Sequence, residues 1–266
     1  MNRWIVANVP SWLMLTVLVV VVTGGTALVQ SRVRHHFPSL RNGKHNDIAG
    51  FLIAVVGVVY AFVISFIAFS LWEEVKTESY ATQTEASMVL QLAKDADVFD
   101  DTTRSRIRQS ALAYTRSVVA EWPTAATGHT TAEADHALEG LYTTYEELEP
   151  GNDTQRAFLE ESQEDLREVS ILRTERVLHA LQETGPTSSL WAVILLASAL
   201  TLGFSVIFGL EDARLHYGMV GAMSVLVAAN LFLVLELSYP FLGELSASPE
   251  SMQTVIQEIQ ALGTLR

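Results

Sequence analysis

Phe62, Phe66 and Phe69 recur at i, i+4 and i+7, the spacing that sets three side chains on one face of a helix. Ser65 sits beside them, and Val55, Val58 and Val59 lie a turn earlier. Copies of such a helix around an axis would stack rings of phenylalanine into an apolar constriction, which gates by dewetting. The same spacing also suits a face that meets lipid or a neighbouring helix. Glu236 is the second residue with chemistry to offer, because no other acid lies well inside an apolar stretch. Ionisable groups there are rare and face protein or water. Glu236 suits ion coordination or a proton-linked gate; alternatively, four residues before Pro240, it snorkels to the interface. Asn230 falls on roughly the opposite side of that helix and suits an interhelical hydrogen bond.

Other reactive groupings are sparse. His35, His36 and His45 have no carboxylate before Asp47 and no thiolate partner, and their spacing fits no zinc pattern. They read as solvated loop residues. There is no Gly-rich phosphate loop, no Gly-x-Ser-x-Gly and no His-Glu-x-x-His. Acid pairs such as Glu73-Glu74 and Glu146-Glu147 read as solvated helix faces. The expectation is a chain with no catalytic residues, no cofactor and no metal, and not an enzyme.

The elements that must carry these residues follow from charge-free runs. Of 266 residues, 49% are hydrophobic and only 18% charged, against about 25% in soluble domains. Trp4–Gln30, Ile48–Trp72, Thr187–Leu210 and Leu215–Leu235 contain no Asp, Glu, Lys or Arg. A bilayer crossing takes about 20 mainly apolar residues, so each run qualifies. The expected fold class is an all-α membrane protein with four transmembrane helices, TM1 at about 9–30, TM2 at 47–72, TM3 at 188–210 and TM4 at 216–238. The first run is long and lacks an A-x-A cleavage pattern, so it reads as a retained helix. Asn46 and Asp47 offer caps for TM2, and Thr187 or Ser188 for TM3. Small residues such as Gly24-Gly25, Gly203 and Gly218 let helices approach closely.

Between the two hairpins lies a water-facing insert. Residues 73–186 hold 23 acids against 10 bases, which accounts for the whole net charge of −13. The organisation expected is a membrane hairpin at 1–72, the acidic insert at 73–186, a second hairpin at 187–240 and a C-terminal tail at 241–266. The insert reads as helical throughout. TM2 runs on without a break to about Val98. A second helix spans about Asp101–Trp122, with Ile107, Ala111, Tyr114 and Val118 as its apolar face and Pro123 as its stop. A Thr130-x-x-Glu133 capping box opens a third, and a fourth follows the turn at 149–153. An acidic surface argues against nucleic acid, whose phosphates need basic partners. With no cysteine there are no disulfides.

Charge bias suggests an orientation. Arg32, Arg34, Arg41 and Lys44 crowd the 31–46 loop, whereas the insert's membrane-proximal ends hold only Lys76, Arg173 and Arg176. Short basic loops stay in the cytoplasm. That sets the 31–46 loop inside the cell (inner or plasma) membrane, with both termini and the insert outside.

Several separate motifs then fall into a familiar order. His45-Asn46-Asp47-Ile48-Ala49-Gly50-Phe51 leads into Val55–Ala61, Trp72 closes the helix, and Glu85-Ala86 follows. Next come Tyr114, Glu121-Trp122-Pro123, Arg173 and Arg176 before Leu190-Trp191, and Tyr239-Pro240-Phe241-Leu242-Gly243 with Ser248-Pro249. This order resembles a family of bacterial membrane proteins described as bestrophin-like, over roughly residues 45–250. One departure stands out. The resemblance leads one to expect an acid in Leu-Asp-x-Pro-Phe, but this chain reads Leu237-Ser238-Tyr239-Pro240, and its nearest acid is Glu236. True bestrophins are pentameric anion (chloride) channels whose second helix lines a phenylalanine-rich neck. The resemblance therefore implies a homo-oligomeric channel with Phe62, Phe66, Phe69 and Ser65 at the pore. It also implies the opposite orientation, with the insert and termini inside.

Two functions remain open from the sequence. One is an oligomeric ion channel, most simply for anions, although an acidic insert along the conduction path would favour cations. The other is a membrane-anchored sensor or scaffold whose acidic bundle binds a ligand or a partner protein. Membrane lipid is a partner in both.

Overall fold

In the computed structural model the described residues are 6–38, 46–126, 129, 131–181 and 185–264. Trp4, Arg41, Lys44, His45 and Thr130 lie outside them. Helix α1 spans Ser11–His36, and α2 spans Asn46–Asp95 and ends in a 3₁₀ turn at Ala96–Val98. Then follow α3 at Asp101–Ala125, α4 at Ala132–Glu146, α5 at Asp153–Leu181, α6 at Ser188–Ile207, α7 at Ala213–Leu237 and α8 at Glu250–Thr264. Among the described residues every regular element is helical. α1, α2, α6 and α7 are each long and apolar enough to cross a membrane. The chain is an all-α membrane protein with a helical bundle between its second and third spans. α2 stays unbroken for 50 residues because no Gly or Pro occurs between Gly57 and Pro123.

The chain divides into two compact units. The first takes in α1, α2 up to Glu73, α6, α7 and residues 243–245. α1 packs along α7, and α6 packs against both. Polar cross-links pin their register. Ser11 Oγ donates to Glu236 Oε1 at 2.5 Å. Arg34 Nη1 donates to the Leu210 carbonyl at 3.1 Å and to His216 Nδ1 at 2.9 Å. A guanidinium cannot accept, so Nδ1 is the acceptor and His216 Nε2–H faces the Ser205 carbonyl at 3.3 Å. Asn46, expected to cap α2, has a different partner. Its side chain takes both Gly209 backbone groups, N–H at 2.9 Å and C=O at 2.7 Å. The α6–α7 turn has backbone groups with no helical partner, and Asn46 satisfies two of them.

The second unit holds α2 from Glu74, α3, α4, α5, α8 and the short piece 240–242. α3 packs on α4 and α8, and α5 packs on both α3 and α4. Ile107, Ala111, Tyr114 and Val118, the face expected of α3, are all fully buried with Val89, Leu92, Leu141, Leu166 and Val169. Asp100 caps α3 by accepting from the Thr102 and Thr103 amides, and the Thr103 hydroxyl at 2.6 Å, then these amides, hold its carboxyl below the usual range.

Three expectations need correction. Pro123 does not stop α3, which runs a further turn to Ala125. A proline deletes one backbone bond, and Ala126 N–H still reaches the Trp122 carbonyl at 2.9 Å. The N-cap of α4 falls one residue after Thr130, which itself lies outside the described residues. This cap is Thr131, whose side chain makes no cap bond and whose amide donates to Glu121 Oε1 at 2.7 Å. Residues 241–266 are not a mere tail. α8 buries Met252, Val255 and Ile259 in the second unit's core, an i, i+3, i+7 stripe that costs less when covered.

Candidate functional site

Phe62, Phe66 and Phe69 lie on the outward face of α2, 74%, 74% and 63% exposed. Ser65 is exposed beside them. The face continues through Ile48, Phe51, Val55, Val58 and Val59. The opposite face, Ala49, Tyr60, Ile64, Ile67 and Leu71, is buried. Alternation of this kind follows directly from the helical period. No constriction forms within one chain, so a phenylalanine ring requires further copies. Lipid tails tolerate such a face without penalty.

Glu236 points inward. It is 2% exposed, so within the chain it does not snorkel. Oε1 accepts from Ser11, and Oε2 is buried with no hydrogen-bond partner. Gly243, in the same unit, returns to this carboxylate. Gly243 has φ +88°, and a Cβ there would collide with Glu236 Oε2. Ser238, where the resemblance leads one to expect an acid, is buried and donates to the Val234 carbonyl at 2.5 Å. Asn230 is half-buried, and the helical period sets it on a different side of α7 from Glu236. Sequence reasoning missed Ser11 as the partner of Glu236, since nothing local links residues 225 positions apart.

A third grouping is the densest. In the second unit Glu85, fully buried, accepts from Arg176 Nε at 3.1 Å, Arg176 Nη2 at 3.2 Å and Tyr114 Oη at 2.5 Å. Arg176 lies 5.2 Å from the Trp122 ring centroid, and Phe241 meets the same indole edge-on at 6.0 Å. One layer away, Arg173 bonds Glu121 at 2.8 Å and Asp135 at 2.7 Å. Glu121 and both arginines are buried, while Asp135 stands at the rim. Two buried carboxylates face two buried guanidinium groups, so the buried charges balance, and each oxygen of Glu85 and Glu121 has a donor. Burial and the neighbouring Glu85 carboxylate push the Tyr114 phenol well above its ordinary value. Burial pulls the Arg176 guanidinium down, but the Glu85 charge outweighs it and holds it above its usual range. The same balance, with Glu121 and Asp135 as partners, raises Arg173.

These are the motif residues that were scattered in the sequence, now in one network. By charge bias and motif order alone, nothing sets Arg173 and Arg176 in a core. A signal for their burial was present: Leu166, Val169, Arg173, Arg176 and Ala180 form one stripe at i, i+3, i+7, i+10 and i+14, and all are buried. Charges that fall within an apolar stripe must be paired. Among the described residues no group of three or more His, Asp or Glu could hold a metal ion. His35 and His36 stack edge-on, and His36 bonds within its own helix.

Four membrane-spanning helices, a helical bundle between the second and third, and this buried motif network define the class. Compared with known families, residues 16–252 match the model of the bestrophin-like domain. The chain belongs to the bestrophin-like family. No curated protein and no solved structure matches it.

Proposed function

We propose that the chain is one subunit of a homo-oligomeric ion channel, with the outward face of α2 lining a shared pore. The observation that carries this reading is the unbroken apolar face from Ile48 to Phe69, ending in three exposed phenylalanines a turn apart. Family membership supports it. Phe62, Phe66 and Phe69 are the constriction, and Ser65 is the polar group between them. Anions are the expected cargo, by likeness to true bestrophins. Native mass spectrometry of detergent-solubilised protein should give a ring-forming stoichiometry, a pentamer by the same likeness. Phe62→Ala with Phe66→Ala should raise chloride flux into liposomes about tenfold or more, because a wider, more polar neck stays wet. A monomer or dimer with no flux would end the shared-pore reading. The exposed α2 face would then be plain lipid contact, and the acidic bundle would become the site of a sensor or scaffold.

For orientation we propose the arrangement the charge bias favours, with the 31–46 loop in the cytoplasm and the acidic bundle outside. The chain has no cysteine, so single introduced thiols report sidedness cleanly. In intact cells, a membrane-impermeant maleimide should label Gln163→Cys and spare His36→Cys. The reverse pattern would give the chain the orientation of true bestrophins.

A further inference from the structure

The interior of the membrane unit is lined by polar side chains. Ser198, Thr201 and Ser205 face inward on α6, His216 and Ser224 on α7, and Thr26 and Gln30 on α1. Small hydroxyl residues at helix contacts are an ordinary packing device, and most here are satisfied by their own helix. Thr26 bonds the Val22 carbonyl, Thr201 that of Ala197, Ser205 that of Leu202 and Ser224 that of Val220. Four residues do not follow this pattern. Thr23 Oγ1, Tyr60 Oη, Ser198 Oγ and both amide atoms of Gln30 are buried with no hydrogen-bond partner among the described residues. Tyr60 and Ser198 are each 4% exposed, and Gln30 is fully buried.

The register of the cross-links sets their depths. Thr23 lies as far along α1 from Ser11 as Ser224 lies along α7 from Glu236, and Ser11 bonds Glu236. At 1.5 Å per residue both stand about 18 Å from that bond. His216 faces the Ser205 carbonyl, and from that contact Ser224 and Ser198 stand about 12 Å and about 10 Å along their helices. Asn46 bonds Gly209, and from there Tyr60 stands about 21 Å and Ser198 about 16 Å along. A helical side chain leans toward its own N-terminus, so the tyrosine's length closes that last difference. Each of the four helices therefore brings one buried hydroxyl to a single layer, close to the middle of a bilayer core about 30 Å thick. Gln30 stands two turns beyond Thr23, level with the Arg34–His216 end of the unit.

Orphaned buried polar atoms that share one depth on several elements point to an unseen water. In hydrocarbon the penalty for leaving them unpaired is steepest. We propose that the membrane unit holds an internal water-filled lane, from a midplane site bridging Thr23, Tyr60 and Ser198 up to Gln30. The ligand is water, because hydroxyl and amide groups both donate and accept and the layer contributes no charge. This lane lies inside one subunit, on the face of α2 opposite to Phe62, and is independent of the shared pore.

Fast X-ray radiolysis of the full chain in nanodiscs, read by mass spectrometry, tests it, because hydroxyl radicals form from water beside the labelled ring. Tyr114, fully buried and bonded to Glu85, is the dry reference. Tyr80, 61% exposed, is the wet one. Tyr60 should label within a few-fold of Tyr80 and about tenfold faster than Tyr114, as a ring touching bound water does. Ser198→Val removes one water partner and fills its space, and should bring Tyr60 down toward Tyr114. If Tyr60 is as silent as Tyr114 in the unmodified chain, the lane is dry and the proposal fails. Fast labelling that Ser198→Val leaves unchanged would set the water elsewhere and equally overturn the proposed site.

Discussion

Replacing Arg176 with methionine should destabilise the helical bundle by about 3–5 kcal/mol, the usual cost of removing one partner from a buried ion pair. The reason lies with Glu85 rather than with the arginine. Glu85 is fully buried and accepts two bonds from Arg176 and one from Tyr114. Without the guanidinium it keeps one phenol and a full negative charge in a low-dielectric setting. Methionine fills comparable volume, so packing loss is a smaller part of the effect. Losing the cation over the Trp122 ring accounts for about 1 kcal/mol of that total. In thermal unfolding by circular dichroism the bundle's midpoint should fall by roughly 10 °C. Glu85→Gln combined with Arg176→Met should recover much of that, because a neutral amide still accepts from Tyr114 and leaves no orphan charge. A double variant no better than the single one would show that the arginine acts through something other than Glu85. Arg176→Lys should fall between, since an ammonium cannot make the forked contact to both carboxylate oxygens.

The same network shows where a single sequence stops being legible. The four spans, the unbroken α2 and the buried face of α3 rest on local properties: absence of charge, absence of Gly or Pro, and helical spacing. Those survive folding because each is decided within a few turns of chain. What the sequence did not reveal is which charges leave water. Glu85, Glu121, Arg173 and Arg176 are stabilised as buried groups chiefly by one another, with Tyr114, Asp135 and Trp122 beside them, and Glu85 and Arg176 stand 91 positions apart. Likewise Asn46 is a fine cap by type, yet it serves Gly209, 163 positions away. Pro123 and the 241–266 segment depart from expectation for a different reason. One deleted backbone bond does not end a helix, and a short stripe such as Met252, Val255 and Ile259 does not say which core will cover it. For the site itself, the phenylalanine face was legible from spacing. Its outward direction was not, because period alone does not say which face meets the chain's own helices.

Gly243→Ala should cost the membrane unit about 2–5 kcal/mol, from two separable sources. The first is backbone. Gly243 has φ +88°, where an L side chain costs about 1–2 kcal/mol. The second is a collision, since the new Cβ would fall on Glu236 Oε2. That carboxylate is not a loose end free to swing aside: Ser11 holds its other oxygen at 2.5 Å, and the side chain is 2% exposed. Forcing it off its rotamer or shifting the turn costs about 1–3 kcal/mol. Glu236→Ala should therefore rescue Gly243→Ala in part, removing the collision and leaving the backbone strain. Gly185→Ala is a useful contrast. Its φ of +109° carries the same strain, but its Cβ meets Ser238 Cβ at 2.7 Å, a short side chain on a helix end that cannot yield. Its penalty should persist when Glu236 is changed. Unfolding midpoints of the four combinations of Gly243→Ala and Glu236→Ala give the coupling directly. Strict additivity would mean that the turn and the acid are independent. A coupling of about 1 kcal/mol or more would mean that the backbone at Gly243 is shaped around Glu236, two positions before the Ser238 site where the resemblance leads one to expect an acid.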